Sequence, residues 1–325
     1  MMPFLRYASR MAAPASCSCL TCLFLIVQSQ QSLLQRVAGR IEAFAAAQVA
    51  SIKPMDMPVP GGSAGHTIAP VATAGCYAPG GRYPLPSSVL MTAISARVAG
   101  VKNVWVASPR PHPITLGAAH VAGAHGFLQI GGAQAIAAMA YGVGGMPKAD
   151  VIVGPGNRWV TAAKAYVAGC GTCAIDMIAG PSECLVLADE TADASVIAAD
   201  LLAQAEHDTD ALPVLVTTHE PLIAAVDAAL KEQLAVLPTA ETAAVSAAKG
   251  FAVLAGSIEE AIQVCDIVAP EHLEVFTADA VAVSKRLNNY GGLFVGTNAA
   301  EVFGDYGAGP NHVLPTSGTA RFTGG

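Results

Sequence analysis

Residues 201–210, with the sequence LLAQAEHDTD, carry side chains suited to binding a divalent cation. Gln204 and His207 are three residues apart at the end of a predicted helical segment, so both project from one helix face. An amide oxygen and an imidazole nitrogen that project together can hold a metal ion. The same pair is also typical of a solvated or capped helix end, and this stretch alone leaves both interpretations open.

Two further clusters could complete such a site. Glu271 and His272 place an acid beside an imidazole at the start of a predicted strand, where adjacent side chains point to opposite faces. Histidine suits proton abstraction near neutral pH and a carboxylate can activate water, although a surface pair is the alternative. Asp305 lies in a predicted Gly-rich loop, residues 304–309, and His312 follows in a Pro-Asn-His turn. An Asx turn and loop packing are the alternatives for these two.

Three Gly-rich turns precede predicted helices, at residues 78–81, 131–134 and 154–157. Glycine allows a tight turn with close approach of the backbone to a ligand, and a helix N-terminus favours a phosphate. At residues 154–157 the alternative is an ordinary strand–helix turn with Asn157 as the N-cap. Neither the G-x-G-x-x-G fingerprint nor a Walker A loop occurs. Three such turns within a short span favour a shared ligand cleft.

The composition indicates a compact globular enzyme of about two domains. Of the 325 residues, 13% are charged, about half the usual share of roughly 25%, and 53% are hydrophobic. The net charge of −7 comes from scattered acids without any basic run, so nucleic-acid binding is not expected. Among the eight cysteines, Cys170 and Cys173 form a single C-x-x-C, which favours reduced thiols over a zinc ribbon.

The N-terminal stretch is typical of a targeting segment. It contains arginines and serines but no acid before Glu42, and its apolar run at residues 19–27 is too short to span a bilayer. We expect residues 1–31 to be a transit peptide for a plastid or another organelle, with a signal peptide or a mispredicted start as alternatives. The alternative location is the cytoplasm. We expect no membrane-spanning segment elsewhere.

Short apolar runs alternate with Ala-rich helical runs from residue 103 onward, which predicts an α/β fold. A helix is expected at residues 32–49 and a loop at residues 52–70, which hold four prolines. We predict two Rossmann-like domains, with parallel sheets flanked by helices and a cleft between them. In such sheets ligands bind at the carboxyl ends of the strands.

Several longer motifs occur in an order that resembles the histidinol dehydrogenase family. The resemblance runs from about Ile68 to the end of the chain and is carried by CYAPGG (76–81), GGAQAIAAMAYG (131–142), GPGN (154–157), IDMIAGPSE (175–183), QAEHD (204–208), APEHLE (269–274) and GDYGAGPNHVLPTSGTARF (304–322). It implies a zinc enzyme that oxidises L-histidinol to L-histidine through the aldehyde, with two reductions of NAD, in histidine biosynthesis.

The resemblance also implies roles for individual residues. The zinc ligands would be Gln204, His207 and Asp305. His272 would be the general base and Glu271 would activate water. NAD would contact Tyr77, Gln134 and Asn157. The substrate would contact Ser182, Gln204, His207, His272, Asp305 and His312.

The same resemblance implies a domain division and a homodimer. Residues 32–75 and 183–325 would form a discontinuous domain with the zinc and substrate residues, and residues 76–182 would form the NAD-binding domain. The family continues past the ARF motif with a tail that carries a histidine ligand and a glutamate, and this chain stops at Gly325. We therefore expect weaker dimer and zinc binding. A non-catalytic remnant, or a relative that oxidises another primary alcohol such as a sulfonated diol, are the alternatives.

Overall fold

The structure, a computed structural model, describes residues 26–80, 83–306 and 308–323, and only the backbone of residues 305 and 306. Residues 1–25 of the expected transit peptide lie outside the described residues, while its last part, from Gln28, already belongs to helix α1 (Gln28–Ser51). In the described part of the chain, no helix is both long and apolar enough to cross a membrane.

Backbone contacts divide the chain into two units. The first unit comprises the described residues up to Ile178 together with Tyr306–Val313. The second unit comprises Ala179–Asp305 and the described residues from Leu314 onward. Each unit contains one five-stranded sheet whose strands are all parallel, so the predicted α/β class with two parallel sheets is confirmed.

The sheet of the first unit has the strand order β5-β4-β3-β6-β7. Its central strand, β3, is buried along its whole length because helices cover both faces of the sheet. After α1, the elements of this unit are the hairpin strands β1 (Met55–Val59) and β2 (Gly62–His66), then β3 (Thr73–Tyr77), α2 (Pro86–Val98), β4 (Asn103–Ala107), α3 (Pro113–Val121), β5 (Gly126–Leu128), α4 (Gly132–Tyr141), β6 (Val151–Val153), α5 (Arg158–Gly169) and β7 (Ala174–Ile175).

Helix α1 packs on the first unit, which differs from the predicted domain division. Its apolar side chains Leu34, Ala38 and Ile41 recur at helical spacing and join one buried cluster with residues of β3 and α2. Because an amphipathic helix is held by the core that its apolar face covers, residues 32–75 belong with this sheet rather than with residues 183–325.

The sheet of the second unit has the strand order β10-β9-β8-β11-β12. Strands β8 and β11 pair with Cys184 opposite His272, so every second residue of each strand faces the same side of the sheet. Its elements are β8 (Glu183–Ala188), α6 (Ala194–Ala205), β9 (Leu212–Thr217), α7 (Glu220–Leu234), α8 (Ala240–Ala247), β10 (Phe251–Leu254), α9 (Ile258–Val268), β11 (His272–Phe276), α10 (Ala280–Ser284), β12 (Gly292–Val295), α11 (Glu301–Tyr306) and a 3₁₀ turn at Thr319–Arg321.

Two expectations about local structure were wrong. Residues 52–70 were expected to form a loop, but they contain the antiparallel β1–β2 hairpin, which turns at Gly61 with φ +88°. Asp305 was expected in a Gly-rich loop, but its backbone lies in helix α11. In both cases the Pro- or Gly-rich composition indicated irregular backbone, and pairing or packing with other elements decided otherwise.

The turn after β6 depends on the missing side chain of Gly154. Its φ is +115°, and a Cβ atom there would lie 2.1 Å from the carbonyl oxygen of Tyr77. We expect Gly154→Ala to lower the free energy of unfolding by about 2 kcal/mol or more, since both backbone strain and a steric clash follow. Chemical denaturation measures the loss.

Gly39→Ala is the matched control, because Gly39 lies in the middle of α1 and a Cβ there would meet nothing within 4 Å. This change should raise stability by about 0.5–1 kcal/mol through helix propensity. Equal effects of the two substitutions would contradict the assigned role of Gly154.

Candidate functional site

The imidazole of His272 is buried at the first position of strand β11, with 5% of the residue exposed. Its Nδ1 lies 3.1 Å from the carbonyl oxygen of Glu183 and 3.0 Å from Oε1 of Gln204. Both neighbours accept hydrogen bonds, so the hydrogen of a neutral ring sits on Nδ1. Nε2 then keeps its lone pair and can take up a proton.

The carboxylate of Glu301 lies on the Nε2 side of this ring. Its Oε1 atom is 3.6 Å from Nε2 of His272 and 3.9 Å from Nε2 of His207. Glu301 is 5% exposed, so its charge acts in a poorly solvated environment. A carboxylate at this distance favours the imidazolium that forms when His272 accepts a proton.

Gln204 and His207 lie at the end of helix α6, as predicted. Gln204 is fully buried, and its Nε2 has no hydrogen-bond partner among the described residues. A buried amide with one unpaired end is unfavourable unless a further group completes it. The His207 side chain is half exposed and can reach a bound ligand.

These donors match the chemistry of zinc, which binds imidazole nitrogen and side-chain oxygen. The amide oxygen of Gln204 has a second lone pair beside the one that accepts from His272, so the same oxygen can also be a metal ligand. The described residues contain no group of three His, Cys, Asp or Glu side chains with metal-binding geometry. The side chain of Asp305, the third predicted ligand, lies outside the described part of the structure, although its backbone belongs to the same unit.

Glu271 is buried beside Ser182 and Glu183, and its Oε2 lies 4.0 Å from Nδ1 of His272. Its Oε2 accepts the backbone N–H of Glu183 at 3.2 Å and hydrogen-bonds with the Ser182 side chain. Burial raises the pKa of Glu271 from 4.5 to about 8, although these hydrogen bonds oppose the rise. A carboxyl group with a pKa near the working pH can exchange protons with water.

The site lies at the amino ends of the strands of the second unit, where we had expected the carboxyl ends. His272 begins β11 and Glu183 begins β8, its neighbour in the sheet. Helix α6 runs antiparallel to the strands, as a crossover helix between parallel strands must, so its C-terminus returns Gln204 and His207 to the same edge.

In the first unit the predicted NAD-contacting residues follow the carboxyl ends of three strands. Tyr77 ends β3, and its hydroxyl accepts the backbone N–H of Gly132 at 3.2 Å. Asn157 follows β6 and caps helix α5 by accepting the N–H groups of Trp159 and Val160 at 3.1 and 3.2 Å. Gln134 lies exposed in the first turn of α4.

Strands β3 and β6 are adjacent at the point where the chain order of this sheet reverses. Such a switch point opens a crevice at the carboxyl edge of a parallel sheet, and ligands bind there in open α/β sheets. The Gly154–Asn157 turn therefore lies at the edge where ligands bind in such sheets. The predicted N-cap role of Asn157 is confirmed, and the ligand role of the turn stays a prediction.

A buried ion pair holds this turn in place. Lys164, which is 1% exposed, forms an ion pair with Asp176 and donates to the carbonyl oxygen of Gly154 at 2.9 Å. The other Asp176 oxygen accepts the Gly154 N–H at 2.7 Å. Both backbone groups of Gly154 are thus bound, so the turn has one defined geometry.

His312, one of the predicted site residues, lies in the first unit. Its backbone N–H contacts Sδ of Met91 in helix α2 at 3.3 Å, and the side chain of Asn311 donates to the Met91 carbonyl oxygen at 3.4 Å. These contacts hold the 306–313 segment on α2.

Three contributors were missed by sequence reasoning: Glu301, Asp176 and Lys164. Glu301 and Asp305 are four residues apart on helix α11, so helical periodicity could have found Glu301 if the segment had been predicted as a helix. Asp176 lies next to a two-residue strand, β7, and nothing in the sequence indicates its bond with Lys164.

Two parallel sheets flanked by helices define an α/β protein, and its second unit carries a buried histidine beside a carboxylate. The model of the histidinol dehydrogenase family matches residues 19–325, and the chain belongs to this family. Histidinol dehydrogenase of Thermus thermophilus is 49% identical over 266 residues, which cover 82% of this chain and 64% of the relative. That of Parasynechococcus marenigrum is 48% identical over 266 residues, or 80% and 60% of the two chains.

A crystal structure of histidinol dehydrogenase from Elizabethkingia anophelis has the same fold. The TM-score is 0.91 at 35% sequence identity, and the match covers 99% of this chain and 77% of the other. This chain spans 64% and 60% of the lengths of the two relatives above.

The raised pKa of Glu271 predicts a pH-dependent stability. Between roughly pH 4.5 and 8 the folded protein keeps this group protonated while the unfolded chain ionises it. Stability therefore falls as the pH rises, by up to about 1.4 kcal/mol per pH unit for this group. We expect Glu271→Gln to flatten the slope and to be the more stable protein at pH 8, as measured by denaturation across this range. Glu232→Gln, a change at an exposed position of α7, should leave the slope unchanged.

Proposed function

We propose that this protein is an NAD-dependent, zinc-assisted histidinol dehydrogenase that oxidises L-histidinol to L-histidine through L-histidinal in histidine biosynthesis. The observation that supports this best is the buried His272, whose Nδ1 is bound by two oxygens and whose Nε2 faces Glu301. Oxidation of an alcohol needs a base for the hydroxyl proton, and this ring has the tautomer that such a base requires.

The two cofactors would be held by separate sets of residues. Gln204, His207 and Asp305 would bind Zn²⁺, and Tyr77, Gln134 and Asn157 would contact NAD. When bound, NAD accepts a hydride in each of two oxidations, and Zn²⁺ orients the amine and imidazole nitrogens of the substrate. Ser182 and His312 would complete the binding of the substrate.

His272 would remove the hydroxyl proton of histidinol at Nε2. The Nδ1 hydrogen stays bonded to the oxygens of Glu183 and Gln204, which fixes the plane of the ring during the transfer. The nearby carboxylate of Glu301 stabilises the positive charge that the ring acquires.

Glu271 would serve the second oxidation by accepting a proton from the water that adds to the aldehyde. Only the ionised carboxylate can accept this proton. Because the pKa of Glu271 is about 8, the ionised fraction rises with pH through that value. The carboxyl group is held by Ser182 and by the backbone of Glu183, so it keeps its place in both protonation states.

The first test is NADH formation on L-histidinol with Zn²⁺ supplied, for the protein and for its His272→Asn variant. We expect histidine as the product, and a fall in kcat of roughly 10²–10⁴-fold in the variant, the usual contribution of a general base. The circular dichroism spectrum should stay unchanged. Full activity of His272→Asn would remove His272 as the base.

Other outcomes separate the alternatives. NADH formation on a sulfonated diol but not on histidinol would indicate a relative with another substrate. Binding of histidinol and Zn²⁺ in calorimetry without turnover on any primary alcohol would indicate a non-catalytic member of the family. A homodimer and an organellar location stay predictions.

A second test separates the roles of the two acid–base residues, His272 and Glu271. Glu271→Gln should keep the first oxidation and lose the second, because an amide cannot accept a proton from water. The yield of NADH per histidinol should fall from two towards one, and a carbonyl-trapping amine should capture the aldehyde. An unchanged yield would show that another group activates the water.

A further inference from the structure

Two pairs of side chains face each other between strand β11 and helix α6. His272 and Glu274 are two residues apart on the strand and face the same side of the sheet, while Asp200 and Gln204 are one helical turn apart. The first pair is His272 with Gln204 at 3.0 Å. The second pair is Glu274 with Asp200, whose carboxyl groups are neighbours and interact electrostatically.

The proposed reaction gives no role to Asp200 and Glu274, although both carboxyl groups lie where a negative charge is poorly solvated. Glu274 is fully buried and Asp200 is partly buried. Two carboxylates can hydrogen-bond only if one of them carries a proton. The oxygens Oδ2 of Asp200 and Oε2 of Glu274 are buried and have no N–H or O–H donor as a partner in the part of the chain that the structure describes, and a proton shared between the two carboxyl groups would satisfy both.

The proton of this pair belongs on Glu274. Burial, followed by the negative charge of Asp200, raises the pKa of Glu274 from 4.5 to about 9. At neutral pH Glu274 is therefore the donor and Asp200 the acceptor, and the pair carries a single negative charge.

The other oxygen of Glu274 reaches the site itself. Oε1 accepts the backbone N–H of Glu301 at 3.0 Å, at the first residue of helix α11. The side chain of the same Glu301 lies 3.6 Å from Nε2 of His272. Glu274 is thus bonded to helix α11 and lies next to Asp200 of helix α6, and these two helices carry the groups that flank the His272 ring.

We propose that Asp200 and Glu274 share one proton and act as positioning residues, which hold helix α11, and with it Glu301, against His272. The role of Glu301 beside the base rests on the proposed function. The shared proton and the attachment of α11 do not, and they can be measured without substrate.

Two substitutions at Glu274 separate a polar role from a volume-filling role. In Glu274→Gln the amide can still donate to Asp200 and accept from the Glu301 N–H. In Glu274→Met the length of the side chain is kept and both hydrogen bonds are lost. Amide hydrogen exchange of α11 and of the central strand β8 is measured by mass spectrometry on the full chain.

In Glu274→Met we expect the amides of α11 to exchange about tenfold faster, because a buried hydrogen bond at the first residue of the helix is lost. In Glu274→Gln we expect them to exchange as in the unmodified protein. Strand β8 should be unchanged in both. Equal exchange of α11 in the two variants would overturn the proposal.

Asp200→Ala gives the same test if Glu274→Met does not fold, since Asp200 is only partly buried on a helix and alanine favours helices. It removes the acceptor for the Glu274 proton, so α11 should again exchange faster. Unchanged exchange in this variant would count against the shared pair.

Infrared spectroscopy tests the proton itself. The difference between the unmodified protein and Glu274→Gln at pH 7 should show the loss of a protonated carboxylic acid band, while the exposed control Glu232→Gln should show the loss of carboxylate bands. Loss of carboxylate bands in Glu274→Gln would overturn the shared proton.

Kinetics then connect the pair to the site. If the protein turns over histidinol, Glu274→Gln should keep kcat within about threefold, and Glu274→Met should lower kcat about tenfold with a smaller change in KM. If no variant turns over, the proposed function fails, and exchange and infrared spectra decide the positioning role by themselves.

Discussion

The ring of His272 is buried, and a buried polar ring must have a hydrogen-bond partner at each nitrogen that carries a hydrogen. Two oxygens at Nδ1, one from the backbone of Glu183 and one from the side chain of Gln204, decide the tautomer. The first comes from the neighbouring strand and the second from helix α6. The reactive nitrogen therefore depends on the register of β8 with β11 and on the packing of α6, and not on His272 alone.

Several acidic side chains in the same region are buried by the fold. Burial raises the pKa of Glu183, Glu271 and Glu274, which all belong to strands β8 and β11 or to the residue before β11. Each group has backbone N–H or side-chain partners that keep it in place while its charged form is disfavoured. Such an arrangement lowers stability at neutral pH, and it is typical of sites where proton exchange matters more than stability.

The two units use opposite edges of their sheets. In the first unit, the switch point between β3 and β6 presents the Gly154 turn at the carboxyl edge, and the buried Lys164–Asp176 pair keeps that turn rigid. In the second unit, the amino edge carries His272 because helix α6 returns there at its C-terminus. A parallel sheet thus offers two kinds of site: turns whose N–H groups face a ligand at one edge, and side chains from strand starts and helix ends at the other.

Much of the architecture follows from local sequence pattern. The alternation of apolar and Ala-rich runs from residue 103 onward predicted parallel strands, because continuous apolar runs between Gly- and Pro-containing turns are typical of buried parallel strands. Strands β4, β6 and β12 are runs of this kind. Strand β3 was not predicted, because its sequence TAGCY contains few β-branched residues and only its central place in the sheet makes it a strand.

The sequence by itself determined the α/β class, the candidate residues and the resemblance that named their chemistry. Tertiary structure alone decided which edge of the second sheet carries the site, that helix α1 packs on the first unit, and that Glu301 lies beside His272. It also decided that Glu274 and Asp200 form a pair. These are contacts between residues far apart in the chain, and they depend on strand order and on the return of helices, which local pattern does not encode.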